Sequence, residues 1–166
     1  MRVCSGRTGR RTVGDHTHPS ETRFMSQVNQ RLANDVLIPS DTAEARRVQE
    51  QIEHLLKLHQ FGEREVFGIR LAVEEALVNA IKHGNQMDPS RKVRVAFEVS
   101  PEKFEVLIAD EGEGFDPCDV PDPTAPENLE RPCGRGIMLM RHYMTSVAYN
   151  ERGNVVSMSK LRNGNR

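Results

Sequence analysis

Three polar side chains that could bind a metal ion or move a proton recur every four residues in the stretch "EEALVNAIKHG", residues 74–84. They are Glu75, Asn79 and His83, and the residues between them are mostly apolar. Because an α-helix turns about 100° per residue, this spacing places all three on one stripe. An amide oxygen suits Mg²⁺, and a carboxylate one turn away could accept a proton from an attacking hydroxyl. The same pair is common on solvent-facing helices, so the stripe alone leaves both interpretations open.

A second cluster, "DEGEGFDP" at residues 110–117, joins a carboxylate to two glycines at the end of an alternating strand. Asp110 continues the apolar face that includes Ile108, where a carboxylate is costly without a partner. A ligand that donates hydrogen bonds, such as an adenine amino group, would offset this cost. Gly112 and Gly114 would let the backbone turn sharply beside that ligand. A glycine-rich turn with a capping aspartate explains the same residues, so the motif by itself is weakly specific.

A third cluster, "CGRGIM" at residues 133–138, places Gly134 and Gly136 at the start of a predicted helix. Free backbone N–H groups and the positive end of a helix dipole suit phosphate, and Arg135 could add charge. The chain contains no G-x-x-x-x-G-K-[ST] sequence, so this is not a P-loop. A plain glycine-rich helix start is the alternative interpretation.

The elements that would position these groups follow from hydrophobic periodicity. Hairpins are predicted over 93–99 with 104–110, and over 147–149 with 155–161. A first strand is predicted in the stretch 34–40, ended by Pro39. Three helices are also predicted: one from a capping box at 41–44 to a stop at Gly62, one over 63–83 ended by Gly84 and Asn85, and one after Gly136. Hairpins with helices between them favour an α+β two-layer sandwich, with a mostly antiparallel sheet and three main helices, over a parallel doubly wound sheet.

The chain is predicted to consist of a tail followed by one domain. Residues 1–30 are rich in Arg, Ser, Thr and Gly, and ordering them would cost more entropy than burial returns, so we predict a disordered basic tail. Residues 31–166 would form the domain. Five of the nine prolines lie within 115–133, a run without predicted elements whose length is typical of a functional lid or a disordered segment.

Charge and cysteine content exclude several classes of protein. Residues 1–34 carry six arginines against Asp15 and Glu21, a net charge of +4, so the chain total of −1 leaves −5 on the remainder. An acidic domain argues against a broad nucleic-acid groove. Three cysteines without a CxxC pair indicate a reducing compartment, and no apolar run is long enough to span a bilayer. We therefore predict a cytoplasmic protein with no direct nucleic-acid or membrane partner.

The three motifs occur in a fixed order, with "EALVNAIKHG" first, "DEGEGF" next and, beyond the Pro-rich run, "GRGIMLM". In this order they resemble the N, G1 and G2 boxes of the GHKL-type (Bergerat-fold) ATPases. With the closing "GNVVSMSK", residues 35–162 look most like the small anti-sigma-factor serine/threonine kinases of that superfamily. Each motif is weak alone, but three in register form a specific signature.

The resemblance implies that ATP binds under the lid. Asp110 would recognise the adenine amino group, Gly112 and Gly114 would shape the pocket, Ser157 would place a hydroxyl near Asp110, and His83 would complete the wall.

At the phosphate end, the resemblance implies that Glu75 is the general base and that Asn79 binds Mg²⁺. Glu74, about 100° further around the helix, is predicted to face elsewhere. Four further residues would contact the phosphates, two by side chain and two by backbone: Lys82, Arg135, Gly134 and Gly136.

The activity implied by the resemblance is transfer of the γ-phosphoryl group of Mg-ATP to a serine or threonine hydroxyl. The implied substrate is an anti-anti-sigma (STAS-type) protein, and a sigma factor would bind when that antagonist is phosphorylated; relatives also often form homodimers. A non-catalytic module, in which ATP only stabilises a lid conformation for partner binding, would share the same fold. A histidine-kinase catalytic domain would need an upstream dimerisation helix with a phosphoacceptor histidine, which residues 1–40 do not offer.

Overall fold

The computed structural model describes residues 32–116, 125–126 and 135–163, so the predicted tail and most of the predicted lid lie outside it. Within these ranges the chain forms five strands and three α-helices, and the second helix continues into a π-helical turn. In chain order they are β1 (Asn34–Pro39), α1 (Thr42–Leu58), α2 (Glu63–Val78), the π-helical turn (Asn79–Gly84), β2 (Lys92–Val99), β3 (Lys103–Asp110), α3 (Arg135–Tyr143), β4 (Ser146–Tyr149) and β5 (Val155–Leu161). Across the described ranges, no helix combines the length and apolar character needed to cross a membrane.

The five strands form one antiparallel sheet in the order β1-β2-β3-β5-β4. Both predicted hairpins are present, and β5 pairs with β3 to join them. Short connections bring consecutive strands together, which is the usual outcome for such sequences. The end of β3 consequently lies beside the β4–β5 turn, where the Asp110 N–H donates a 3.0 Å hydrogen bond to the carbonyl of Asn154.

All three α-helices pack on one face of the sheet. On β3 this face is formed by Phe104, Val106 and Ile108, which are almost completely buried against the helices. Alternate strand residues therefore point into the core, as the period of two predicts. Burying each such large side chain contributes about 1.5–3 kcal/mol. The predicted α+β two-layer sandwich is confirmed.

The opposite face of the sheet carries a smaller buried cluster that includes Ala96 and Leu107. Directly opposed residues of an antiparallel pair point to the same side of the sheet. Ser157 lies opposite Leu107, so its side chain belongs to this second face. Asp110 lies on the helix-facing side of β3, two residues after Ile108. The prediction that Ser157 places its hydroxyl near Asp110 is therefore wrong.

The predicted stop of the first helix at Gly62 is also wrong. Helix α1 ends at Leu58, and Gln60 adopts the left-handed conformation, with φ of 59°. A glycine is the usual residue at such a position, which is why the sequence pointed to Gly62. Gly62 instead precedes α2, where its N–H donates a 2.9 Å hydrogen bond to the Glu65 carboxylate.

The predicted capping box at the start of α1 is half formed. Asp41 accepts a 2.6 Å hydrogen bond from the backbone N–H of Ala43. Glu44, which would complete such a box, pairs instead with Arg47 at 2.6 Å. The start of α1 is therefore capped from one side.

The predicted helix over 63–83 changes its winding at Asn79. It is α-helical as far as Val78 and π-helical from Asn79 to Gly84. At the end of this turn, the Asn85 N–H donates a 2.8 Å hydrogen bond to the carbonyl of Ala80, five residues earlier. Such wide turns inside helices occur frequently at functional sites.

Candidate functional site

The first part of the site is the contact between α2 and the start of α3. Glu75 and Asn79 are partly buried and face Gly136. A β-carbon built on Gly136 would lie 2.6 Å from Glu75 Oε2 and 3.5 Å from the Asn79 side-chain nitrogen. Only a glycine therefore leaves this carboxylate in place. The structure brings together the first and third motifs, which are about 60 residues apart in the chain.

Nearby polar residues of this helix, including His83 of the predicted stripe, are more exposed than Glu75 and Asn79. Glu74 is exposed, whereas Glu75 is partly buried, as expected for adjacent residues of a half-covered helix. Lys82 and His83 lie on the π-helical turn with exposed side chains. Their predicted contacts with phosphate and with the pocket wall stay predictions.

The second part of the site surrounds the carboxylate of Asp110. Its Oδ1 accepts a 2.8 Å hydrogen bond from the N–H of Gly112. In the part of the chain that the structure describes, Oδ2 accepts no hydrogen bond. Burial raises the pKa of Asp110, although the Gly112 hydrogen bond and the charges of Arg152 and Arg91 oppose the shift. A half-buried carboxylate with an available oxygen can accept a hydrogen bond from a ligand.

Two glycines allow the chain to approach this carboxylate closely. A β-carbon on Gly84 would overlap the carboxyl group of Asp110. A β-carbon on Gly112 would overlap the carbonyl oxygen of Gly84. The end of the π-helical turn and the turn after β3 are thus in direct backbone contact. The sequence predicts Gly84 only as a helix stop, and nothing in its local pattern indicates this contact.

Asn85 joins these two segments and was also missed. It is fully buried, and its side-chain oxygen accepts a 2.9 Å hydrogen bond from the Glu111 N–H. Its side-chain nitrogen donates to Ser40 Oγ and to the Lys92 carbonyl, both at 2.9 Å. A polar residue at a helix end carries no sequence signal that distinguishes such a role from a simple stop.

The β4–β5 turn supports the beginning of the predicted lid. The Arg152 guanidinium donates hydrogen bonds to the carbonyls of Gly112 at 3.1 Å and Glu113 at 3.4 Å. Gly114 and Gly153 both have positive φ, 82° and 74°. A β-carbon on Gly114 would overlap the Arg152 carbonyl oxygen, so this segment also depends on close backbone approach.

The remaining predicted site residues lie at or beyond the limits of the described ranges. Arg135 is the first residue of α3 and is exposed. Gly134 lies outside the described residues. Of the predicted lid, only residues 115–116 and 125–126 lie inside them.

The donor set fits a magnesium ion that arrives with phosphate. Among residues 32–116, 125–126 and 135–163, no three His, Cys, Asp or Glu side chains are placed to hold a metal. Asn79 carries a side-chain amide next to Gly136, with its nitrogen nearest the glycine, and the oxygen of that amide can serve as a metal ligand. Mg²⁺ usually takes one or two protein ligands when substrate phosphates supply others. The residues present therefore suit a nucleotide-borne Mg²⁺ better than a resident metal centre.

The fold and these contacts are those of a nucleotide-binding sandwich. The model of the family described as histidine kinase-like ATPase domain matches residues 38–160, a segment that contains all three motifs. The chain belongs to the histidine kinase-like ATPase family. The resemblance to GHKL-type ATPases predicted from the motifs is confirmed.

Within this family, the chain is similar to a curated serine-protein kinase and to a curated anti-sigma factor. It is 33% identical over 109 residues to the serine-protein kinase RsbW of Bacillus subtilis, covering 61% of this chain and 68% of that protein. It is 33% identical over 102 residues to the anti-sigma F factor of Oceanobacillus iheyensis, covering 58% and 69%. The predicted likeness to anti-sigma-factor kinases is thereby confirmed.

A solved structure supports the fold. The chain matches a crystal structure of the RsbU and RsbW domains of a Mycobacterium tuberculosis protein with a TM-score of 0.54 and 15% identity. The match covers 81% of this chain and 34% of that one. At this identity the likeness concerns the fold alone.

Proposed function

We propose that this protein is an ATP-dependent serine/threonine kinase that acts as an anti-sigma regulatory factor. Its substrate is a STAS-type anti-anti-sigma protein in the cytoplasm, and its second partner is a sigma factor. A homodimer is the proposed assembly. The names of the similar curated proteins support the class of activity, and the partners follow from the motif resemblance.

The observation that carries this proposal is the contact of Gly136 with Glu75 and Asn79. It places the N-terminal end of α3 against the carboxylate of Glu75 and the side-chain amide of Asn79. Backbone N–H groups at a helix start suit a phosphate, and the amide oxygen suits the ion that accompanies it. When bound, Mg²⁺ would neutralise phosphate charge. Glu75 is then the side chain adjacent to the terminal phosphate.

The proposed reaction is an in-line phosphoryl transfer. The Glu75 carboxylate accepts the proton of the substrate hydroxyl while the hydroxyl oxygen bonds to the γ-phosphorus. The bond from the γ-phosphorus to the β–γ bridging oxygen breaks, and ADP leaves with that electron pair. Positioning and charge neutralisation provide most of the catalysis in such reactions. Glu75 therefore needs only to be held at the correct point, which its packing against Gly136 favours.

Asp110 is proposed to select the base at the other end of the site. Its Oδ2 is available to accept a hydrogen bond from an adenine amino group. The π-helical turn connects the two ends, since Asn79 begins it and Gly84 contacts Asp110 where it finishes. Binding of the base and placement of the phosphates are thus coupled through six residues.

Replacing Glu75 with glutamine tests the kinase proposal directly. The purified protein would be incubated with γ-labelled ATP and STAS proteins from its own genome. Glu75→Gln should lower phosphotransfer by about 10²- to 10⁴-fold, because general-base catalysis contributes that much. ATP affinity should be retained, since the substitution preserves size.

The adjacent residue provides a matched control. Glu74→Gln alters an exposed carboxylate on the same helix and should leave phosphotransfer unchanged. Transfer at the wild-type rate by Glu75→Gln would refute the assigned role. Tight ATP binding by the wild type without transfer to any STAS protein would support the non-catalytic binding module instead.

A further inference from the structure

Tyr149 carries a buried hydroxyl that has no hydrogen-bond partner among the described residues. Buried tyrosine hydroxyls usually find a partner, and an exception calls for an explanation. The other such atom is Ser157 Oγ, which lies on the opposite face of the sheet. Tyr149 is therefore the unpartnered buried hydroxyl on the side of the sheet that carries Asp110.

The strand register places Tyr149 close to the Asp110 end of the site. Tyr149 lies opposite Val156 of β5, and Val156 lies opposite Ile108 of β3. The three residues form a row across the helix-facing side of the sheet, and adjacent strands are about 4.8 Å apart. Asp110 is two residues beyond Ile108 on the same strand and face. Tyr149 thus lies on the same side of the sheet as this carboxylate, two strands away from β3 and near its end.

An aromatic contact ties Tyr149 to the beginning of the predicted lid. The ring of Phe115 meets that of Tyr149 edge to face, with centroids 5.2 Å apart and an interplanar angle of 72°. Phe115 directly follows Gly114 and is 37% exposed, so one side of the pair is open. The two rings form an aromatic border next to the Asp110 turn.

The phenol is a neutral group at physiological pH. Burial raises the pKa of Tyr149 to about 12, the charge of Asp110 acts in the same direction, and that of Arg141 opposes it. A neutral phenol can both donate and accept a hydrogen bond. It can therefore pair with a nitrogen or hydroxyl of a nucleoside.

We propose that Tyr149 is a further nucleotide-binding residue, whose hydroxyl forms a hydrogen bond with the purine nucleoside end of the bound nucleotide. The inference rests on the proposed nucleotide site and adds a contact to it. Asp110 would accept from the base, and Tyr149 would supply a second polar contact from β4. The ligand class is an adenine nucleotide.

The test compares two identical substitutions. Only two tyrosines occur in the chain, and Tyr143, at the end of α3, packs against Phe67 of α2. Tyr149→Phe should weaken ADP binding by about 3- to 10-fold in calorimetry, which corresponds to one net hydrogen bond. Tyr143→Phe should leave the affinity unchanged. Both variants keep the aromatic ring, so packing is retained.

Thermal unfolding separates a ligand contact from a structural one. Without nucleotide, Tyr149→Phe should melt at the same temperature as the wild type or higher, because it removes an unsatisfied buried hydroxyl. With saturating ADP, its rise in melting temperature should be smaller than that of the wild type. A lower melting temperature without nucleotide, together with wild-type affinity, would overturn the inference.

Fluorescence gives an independent readout. The chain has no tryptophan, so Tyr143→Phe leaves Tyr149 as the only tyrosine emitter. Addition of adenosine or ADP should change this emission, and inorganic phosphate should not. An unchanged emission with demonstrated ADP binding would contradict the contact.

The two proposals fail in different ways. If the wild type binds ADP and Tyr149→Phe binds it equally tightly, the Tyr149 contact is refuted while the nucleotide site stands. If the folded wild type takes up no nucleotide at all, both are refuted.

Discussion

The side-chain oxygen of Asn85 accepts a 2.9 Å hydrogen bond from the backbone N–H of Glu111. Asn85 follows the π-helical turn that begins at Asn79, and Glu111 follows Asp110. A single buried amide thus fixes the spacing between the proposed metal-binding and adenine-binding residues. The same side chain also reaches Ser40 and the first residue of β2.

Asn85→Ala should destabilise the fold strongly. The substitution leaves the Glu111 N–H and the Lys92 carbonyl without their side-chain partner in a partly buried place. We expect a loss of about 2–4 kcal/mol in the free energy of unfolding, since each unsatisfied buried group costs about 1–3 kcal/mol. Urea denaturation should show a lower midpoint with an unchanged slope. Gln51→Ala, which shortens an exposed amide on α1, should leave the midpoint unchanged, and equal midpoints for the two variants would contradict the assignment.

Gly136→Ala should lower the rate of phosphotransfer without unfolding the protein. Its β-carbon would lie 2.6 Å from Glu75 Oε2, so the carboxylate must move. A displacement of about 1 Å near the reacting atoms can cost about 10²-fold in rate. Helix stability should not fall, because alanine is favoured over glycine in a helix. The measurement is phosphotransfer to the STAS substrate alongside thermal unfolding.

Gly62→Ala is the matched control for that experiment. There the added β-carbon would lie 3.4 Å from Glu65 Oε2, an ordinary contact, and the backbone φ of −64° suits alanine. Phosphotransfer should be retained. If both glycine variants keep full activity, the contact with Glu75 does not constrain catalysis.

Much of the fold could be predicted because its signals are repeated along the chain. Val93 to Val99 and Phe104 to Ile108 alternate over many residues, and several successive residues report the same face. The π-helical turn could not be predicted in this way. It covers six residues and differs from an α-helix in backbone hydrogen bonding, which side-chain types do not encode.

The proximity of the motif residues could be predicted, whereas the contacts between distant backbone segments could not. Glu75, Asn79 and Gly136 come together as the motif order implies. The prediction for Ser157 was wrong because a shift of one residue along a strand moves the side chain to the other face of the sheet. The polar side chain that does reach Asp110 from this region belongs to Asn154, whose side-chain nitrogen donates a 3.1 Å hydrogen bond to the Asp110 carbonyl.

Asp110→Asn should lower the affinity for nucleotide and raise the free energy of unfolding. Burial raises the pKa of Asp110, so the folded state holds this proton more tightly than the unfolded state does. Protonated Asp110 therefore stabilises the folded state fully below its ordinary pKa of about 3.9. This stabilisation is lost as the pH rises through the raised pKa that Asp110 has in the folded state. At pH 7 the buried charge is therefore unfavourable, and Asp110→Asn should raise the free energy of unfolding without nucleotide. This gain should vanish as the pH falls below about 4.

The affinity of Asp110→Asn for ADP should fall, because a charge-assisted hydrogen bond is about twice as strong as a neutral one. Chemical denaturation at both pH values and calorimetry with ADP measure the two effects. Glu113→Gln changes a nearby exposed carboxylate and should alter neither quantity. If Asp110→Asn binds ADP as tightly as the wild type does, Asp110 does not contact the adenine.

Gly114→Ala should disturb the start of the lid. Gly114 has φ of 82°, and a β-carbon there would overlap the Arg152 carbonyl oxygen. Backbone strain of this kind costs about 1–3 kcal/mol. We expect a lower melting temperature and weaker ADP binding, measured by thermal unfolding and calorimetry. Glu113→Ala, one residue earlier, should affect neither; similar effects from both would point to general damage.

The π-helical turn sets a limit on how this protein can change in evolution. In residues 79–84 the backbone hydrogen bonds join residues five apart, whereas in an α-helix they join residues four apart. A single-codon deletion within them would restore regular winding while rotating everything beyond, including the glycine that abuts Asp110. Length changes common in surface loops should therefore be absent from this segment among active descendants.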